Sequence, residues 1–239
     1  MKLVLLVFCL SFATNAFADP LTRPMVKKKD RVLLVTVNFV TYGDPKYRWL
    51  YKFMEGSSVS LAQLMLQGSY RKIYLLAGAN ATKANFVKNN VALSHDPENR
   101  ALDTFVHLHG SAHALWFQDG GRNTSDLKAD FQTNELKSSA RLFYSTACYG
   151  SNHAQDLIDS GFQVASGSIG VNADSTYSYP ATMNRWRAHS PYREVLRTAN
   201  NRVSIYISDK VAGLMGFKHV NSRKTYKGDG NAQIGLAPF

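Results

Sequence analysis

Short apolar runs recur along the chain, separated by stretches in which apolar positions return every three or four residues. Residues 31–37 (Arg-Val-Leu-Leu-Val-Thr-Val) are rich in β-branched side chains and too short for a buried helix, so they read as a strand. Serines suited to an N-cap and a stop at Gly68 predict a helix over 58–67. A second strand is expected at 72–76, a helix at 82–93, and a third strand at 103–109. A helix at 126–136, a strand at 140–147, a short helix at 153–159 closed by Gly161, and a short strand at 162–165 complete the rhythm. Beyond Gly170 the pattern weakens. Residues 172–180 read as a polar, tyrosine-bearing loop. Pro191 stands at the first position of a helix running to about 198, and another helix covers 203–211. The glycine-containing tail, 225–239, is assigned no element.

The strands are continuous apolar runs rather than alternating ones, which marks a sheet covered on both faces. The expected fold is therefore a single α/β domain with a mostly parallel sheet of about six strands flanked by helices. Right-handed crossovers would place every strand's carboxyl end on one edge, where open α/β sheets bind ligands.

A length of 239 residues with 45% hydrophobic composition suits one well-buried domain. The start, Met1-Lys2, an apolar stretch at 3–12 and Ala16-Phe17-Ala18, is laid out as a signal peptide over 1–18, with cleavage expected after Ala18. Residues 19–30, with Pro20, Pro24 and the Lys27-Lys28-Lys29 run, then form an extended basic arm or short pro-segment, and 31–239 the domain. The expected location is secreted or periplasmic. No later segment is apolar enough to cross a bilayer, so stable membrane insertion is not expected. The net charge of +11 is scattered apart from the lysine run, and no recognition motif accompanies it. Nucleic acid is therefore not an expected partner.

Of the two cysteines, Cys9 lies in the leader, which leaves Cys148 with no internal disulfide partner. An odd thiol in an exported chain is buried, paired with another molecule, or reactive. Cys148 stands where an apolar run breaks into Thr146-Ala147-Cys148-Tyr149-Gly150, and a second run ends in His107-Leu108-His109-Gly110. A thiol and an imidazole at strand carboxyl ends make a candidate nucleophile and base. The amides of Gly110 and Cys148 are candidates for an oxyanion hole, and Gly150 removes bulk where a substrate must approach. His109 is preferred to His107, which is expected to pack under a helix; His113 and His153 default to solvated positions. No orienting third group can be assigned from the residues alone. The chemistry needs no metal or organic cofactor, and its partner would be a peptide or protein substrate. Two other readings stand beside it. His107 and His109 share one strand face and could begin a zinc hydrolase site. The chain could also be an inactive module that binds peptides or glycans.

An apolar strand ending His-Gly, followed by one ending Ala-Cys-x-Gly, resembles the caspase-like cysteine peptidases of clan CD, among them caspases, metacaspases, legumains, gingipains and clostripain. Residues 105–110 and 142–150 carry the match. The resemblance implies a His109–Cys148 dyad with Gly110 and Cys148 amides at the oxyanion. It departs from the caspase signature at Thr146, where glutamine would stand, and at Tyr149, which argues against aspartate specificity. By the same resemblance the segments after the third to fifth strands would line the substrate pocket. Here these offer Ser166 to Asp174, with Tyr177 and Tyr179; an acidic Asp174 there would favour a Lys or Arg side chain.

Overall fold

The computed structural model describes residues 23–238. A central sheet runs in the order β2-β1-β3-β6-β7-β8. Its parallel strands are β1 (Arg31–Asn38), β2 (Lys72–Ala77), β3 (Ala101–Gly110), β6 (Ala140–Ser145) and β7 (Val164–Ser168). β8 (Lys224–Gly228) closes one edge antiparallel to β7. A hairpin of β4 (Ala114–Phe117) and β5 (Gly120–Asn123) turns back on the end of β3. The single α/β domain with its mostly parallel sheet is as expected, but β8 and the hairpin are additions. All three strands are only four or five residues long, and β5 and β8 carry glycine, arginine or lysine instead of an apolar run, so neither shows the pattern that marks a buried strand.

The helices cover both faces, as continuous apolar strands require. On one side α1 (Arg48–Leu66), α5 (Ser175–Arg187) and α6 (Tyr192–Ala199) bury Tyr51, Leu66, Trp186 and Val195 against Leu33, Val35 and Tyr144. On the other, α2 (Lys83–His95), α3 (Thr124–Thr133) and α4 (Gly150–Asp159) pack Phe86, Phe131 and Leu157 on Leu34, Val106 and Phe143. Alternate β1 residues thus feed two separate cores.

Of the expected loop at 172–180, residues 175–180 are instead the first half of α5. Ser178, Tyr179, Thr182, Met183 and Trp186 are its buried positions, a helical spacing that small and polar residues disguised. α1 likewise begins ten residues before the expected start, and Pro191 is the N-cap of α6 and not its first helical residue. A further helix, α7 (Arg202–Leu214), buries only Ala212 among its residues and leaves Val203, Tyr206, Ile207, Val211 and Leu214 exposed.

The expected signal peptide and most of the arm before Arg23 lie outside the described residues. From Arg23 onward the arm is docked on the C-terminal tail. Met25 bridges to Leu236, the Val26 amide donates to the Gly235 carbonyl, and Arg23 pairs with Asp229. Beneath that contact Arg141 reaches from β6 to the carbonyls of Ile234 (2.7 Å) and Leu236 (2.8 Å). Among the described residues no helix is long and apolar enough to cross a membrane.

Candidate active site

Parallel pairing decides what meets what at the carboxyl edge. The β3–β6 register matches Asp103 to Leu142 and runs in step to Val106 and Ser145. Continued past the end of β6, the same offset sets His109 level with Cys148. The two motifs touch: a Cβ built on Gly110 would fall 2.3 Å from the Cys148 carbonyl oxygen and 3.2 Å from its amide nitrogen. Only glycine allows that approach. His109 and Cys148 both line one cleft of about 410 Å³, closed in by α1, residues 171–176 and α7.

His109 is held on three sides. The rings of Tyr51 and Phe39 meet it edge-on, at centroid distances of 5.0 and 5.7 Å. Its Nε2 donates to the Phe39 carbonyl oxygen at 2.7 Å. A carbonyl cannot donate, so the proton sits on Nε2 and Nδ1 is left as the acceptor. The Phe39 carbonyl is itself steadied from α1: Glu55 Oε1 accepts the amides of Phe39 (2.6 Å) and Val40 (2.8 Å). This main-chain orienting group was invisible in the sequence, because any residue type supplies a carbonyl. Burial lowers the His109 pKa, with the Phe39 hydrogen bond and the Glu55 carboxylate opposing the shift.

Cys148 is partly exposed and free. Burial raises its thiol pKa, while the amides of Asn172 and of Cys148 itself, facing the sulfur, work the other way. The resting pair at neutral pH is therefore thiol and neutral imidazole, a form that needs a base to take the proton during attack. Tyr149, next in the chain, adopts the left-handed region at φ 58° and turns the chain sharply from β6 into α4. Gly110 lies opposite Leu115 in the β3–β4 ladder, one residue from the Ser111 amide that donates to Ala114 at 2.9 Å. Antiparallel pairs alternate, so the Gly110 amide points away from β4.

The remaining expected site residues go elsewhere. Ser166 is buried in β7 against the Tyr192 hydroxyl. Asp174 is fully buried, bonded to the Ser204 hydroxyl and ion-paired with buried Lys224 at 3.7 Å. Neither lines the cleft, so the expected substrate contacts through Ser166 and Asp174 are corrected. Asp174 stands at the N-cap position of α5, and burial raises its pKa, opposed by the Ser204 hydroxyl and Lys224 and not by a substrate. Gly150 is also reassigned. A Cβ there would come within 2.9 Å of the Gly167 Cα, so its missing side chain lets α4 touch β7.

His107 is sealed under α5, its ring 4.2 Å from that of Tyr179 and its Nδ1 bonded to Thr146 Oγ1 at 3.0 Å. Burial pushes its pKa down to about 3. His153, expected in solvent, is buried and donates Nε2–H to the Ser111 carbonyl at 2.7 Å, tying α4 to the β3–β4 turn. His113 is exposed on that turn. Among the described residues no three His, Cys, Asp or Glu side chains gather as a metal ion would require.

Three solved structures superpose on nearly the whole chain. The Drosophila initiator caspase Dronc covers 90% of this chain and 87% of its own, with a TM-score of 0.54 and 13% identity. Caspase-1 from Spodoptera frugiperda covers 85% and 87%, with a TM-score of 0.53 and 13% identity. A structure of pro-sf-caspase-1 covers 89% and 95%, with a TM-score of 0.55 and 12% identity. The fold is caspase-like. No known family profile and no curated protein matches the sequence. The caspase-like likeness is thus one of backbone architecture. Within this caspase-like chain, what His109 and Cys148 do must be argued from their own surroundings.

Proposed function

We propose that the protein is an exported cysteine peptidase in which Cys148 is the nucleophile and His109 the base. The approach of Gly110 to the Cys148 main chain carries this reading, because it joins the two motifs at the rim of one cleft. In the proposed reaction the Cys148 sulfur attacks the scissile carbonyl carbon as its proton passes to Nδ1 of His109. The carbonyl oxygen becomes an oxyanion received by the Gly110 and Cys148 amides. The carbon–nitrogen bond then breaks, and the imidazolium returns its proton to the leaving amine. Water, deprotonated by His109, attacks the thioester and releases the acid and the free thiol. The Phe39 carbonyl holds the ring in the tautomer that each step uses.

The test is cleavage of a mixed peptide library by purified protein before and after iodoacetamide, compared with the Cys148→Ala variant. Loss of cleavage in both supports the dyad. Cleavage that survives both overturns it, and binding without cleavage by the unmodified protein moves the chain to an inactive module.

A further inference from the structure

The cleft beside Cys148 has a definite chemical character. Among the described residues that line it, none is Asp, Glu, Lys or Arg. Its walls are mostly apolar, from Leu50 and Met54 of α1, Val171 beyond β7 and Val211 of α7, with Asn172 and Ser208 among a few uncharged polar side chains. The acids close by in sequence are all engaged: Asp174 is turned inward against Lys224, Asp209 accepts from Ser222, and Glu55 accepts the Phe39 and Val40 amides. The basic side chains of this region face a separate groove between α6, α7 and β8, lined by Arg193, Arg197, Arg202, Lys210 and Arg223. The two hollows share α7 but divide its chemistry.

An unpaired charge moved from water into an uncharged wall costs several kcal/mol. An apolar side chain placed there gains roughly 25 cal/mol for each Å² removed from water. We propose that the side chain accepted next to the cleaved bond is uncharged and apolar, of the Leu, Met or Phe class, and is neither acidic nor basic. This rests on the peptidase reading above. The mouth of the cleft extends the same preference. Ile207 and Val211 line it while remaining half-exposed, so apolar residues flanking the cleaved bond add contact there. At about 410 Å³ the cleft falls in the range that holds small ligands, roughly 300–1,000 Å³.

The experiment treats the full chain with peptidyl chloromethyl ketones that differ only in the side chain before the reactive carbonyl: Leu, Met, Phe, Asp, Asn, Lys or Arg. The sulfur displaces chloride, and intact mass reads the adduct, with Cys148→Ala as control and iodoacetamide as a probe of bare thiol access. The Leu, Met and Phe probes are expected to label about tenfold or more faster than the Asp, Lys and Arg probes. Val211→Glu, at a half-exposed helix position, is expected to slow the Leu probe and speed the Lys probe, each by about tenfold. Fastest Cys148-dependent labelling by an Asp, Asn, Lys or Arg probe overturns the apolar preference and leaves the peptidase reading standing. If no peptide probe labels Cys148, whether or not iodoacetamide does, the peptidase reading falls and this inference falls with it.

Discussion

β3 and β6 carry a polar pair at each end, and the two ends are built in opposite ways. At the amino end Asp103 and Arg141 are fully buried and saturated. Arg141 donates through Nε to Oδ1 at 2.9 Å and through Nη2 to Oδ2 at 2.7 Å, and Trp186 Nε1 and the Tyr70 hydroxyl also donate to that carboxylate. At the carboxyl end the His109 ring has, among the described residues, a single hydrogen-bond partner, and the Cys148 sulfur opens to a cleft. A polar cluster that has satisfied its own groups can only hold the fold together. One that keeps an acceptor nitrogen, a thiol and main-chain amides in reserve has something to offer a substrate.

The largest effect expected from that contrast is on activity at the open end. Cys148→Ala should lower peptide cleavage by about 10⁴-fold or more while leaving the thermal unfolding curve in place. Next, Asp103→Ala should cost about 3–5 kcal/mol in urea unfolding, because it strands a buried guanidinium. Joint replacement of Asp103 by Leu and Arg141 by Met should recover most of that loss; failure to recover it would mean the tail carbonyls held by Arg141 matter more than the pair. Gly110→Ala comes third. Its Cβ would collide with the Cys148 carbonyl, and the resulting shift should lower kcat/KM by about 10²-fold with a smaller change in stability.

Near neutrality the smallest effects are those of pH. His109 must be neutral to accept the thiol proton, and burial holds its pKa below the ordinary 6.5. The acid limb of kcat/KM is therefore expected below pH 6.5, and a limb above that value would show that the imidazolium is stabilised in the cleft. His107 acts on stability instead. Its folded value is about 3 against 6.5 for the free side chain. Between those values the unfolded chain binds a proton that the folded chain refuses, so stability falls as pH drops from 6.5 toward 3, with a slope of one proton. His107→Gln should flatten that part of the stability curve.

The legible parts of the fold were those with a single strong pattern. The runs at 31–37, 72–76, 103–109 and 140–145 are strands because several β-branched or aromatic residues in a row suit no other buried element. α5 looks like a loop in the sequence because its buried face includes Ser178 and Thr182, small polar residues that in the fold lie beside the stacked rings of Tyr144 and Tyr179. β8 is silent in the sequence for a related reason: an edge strand with four exposed positions out of five carries no apolar signature.

At the candidate site, a free cysteine and a histidine, each followed closely by glycine at the end of an apolar run, were evident in the residue order alone, because side-chain chemistry travels with the sequence. Their convergence on one edge followed from the parallel pattern, but that β3 and β6 are neighbours with His109 level with Cys148 did not, because a register is a long-range hydrogen-bonding choice that nothing nearby in the chain dictates. The same holds for Asp174. Whether a carboxylate faces a cleft or an interior lysine depends on which helix packs beside it, and only the folded chain brings Lys224, fifty residues later, to its side.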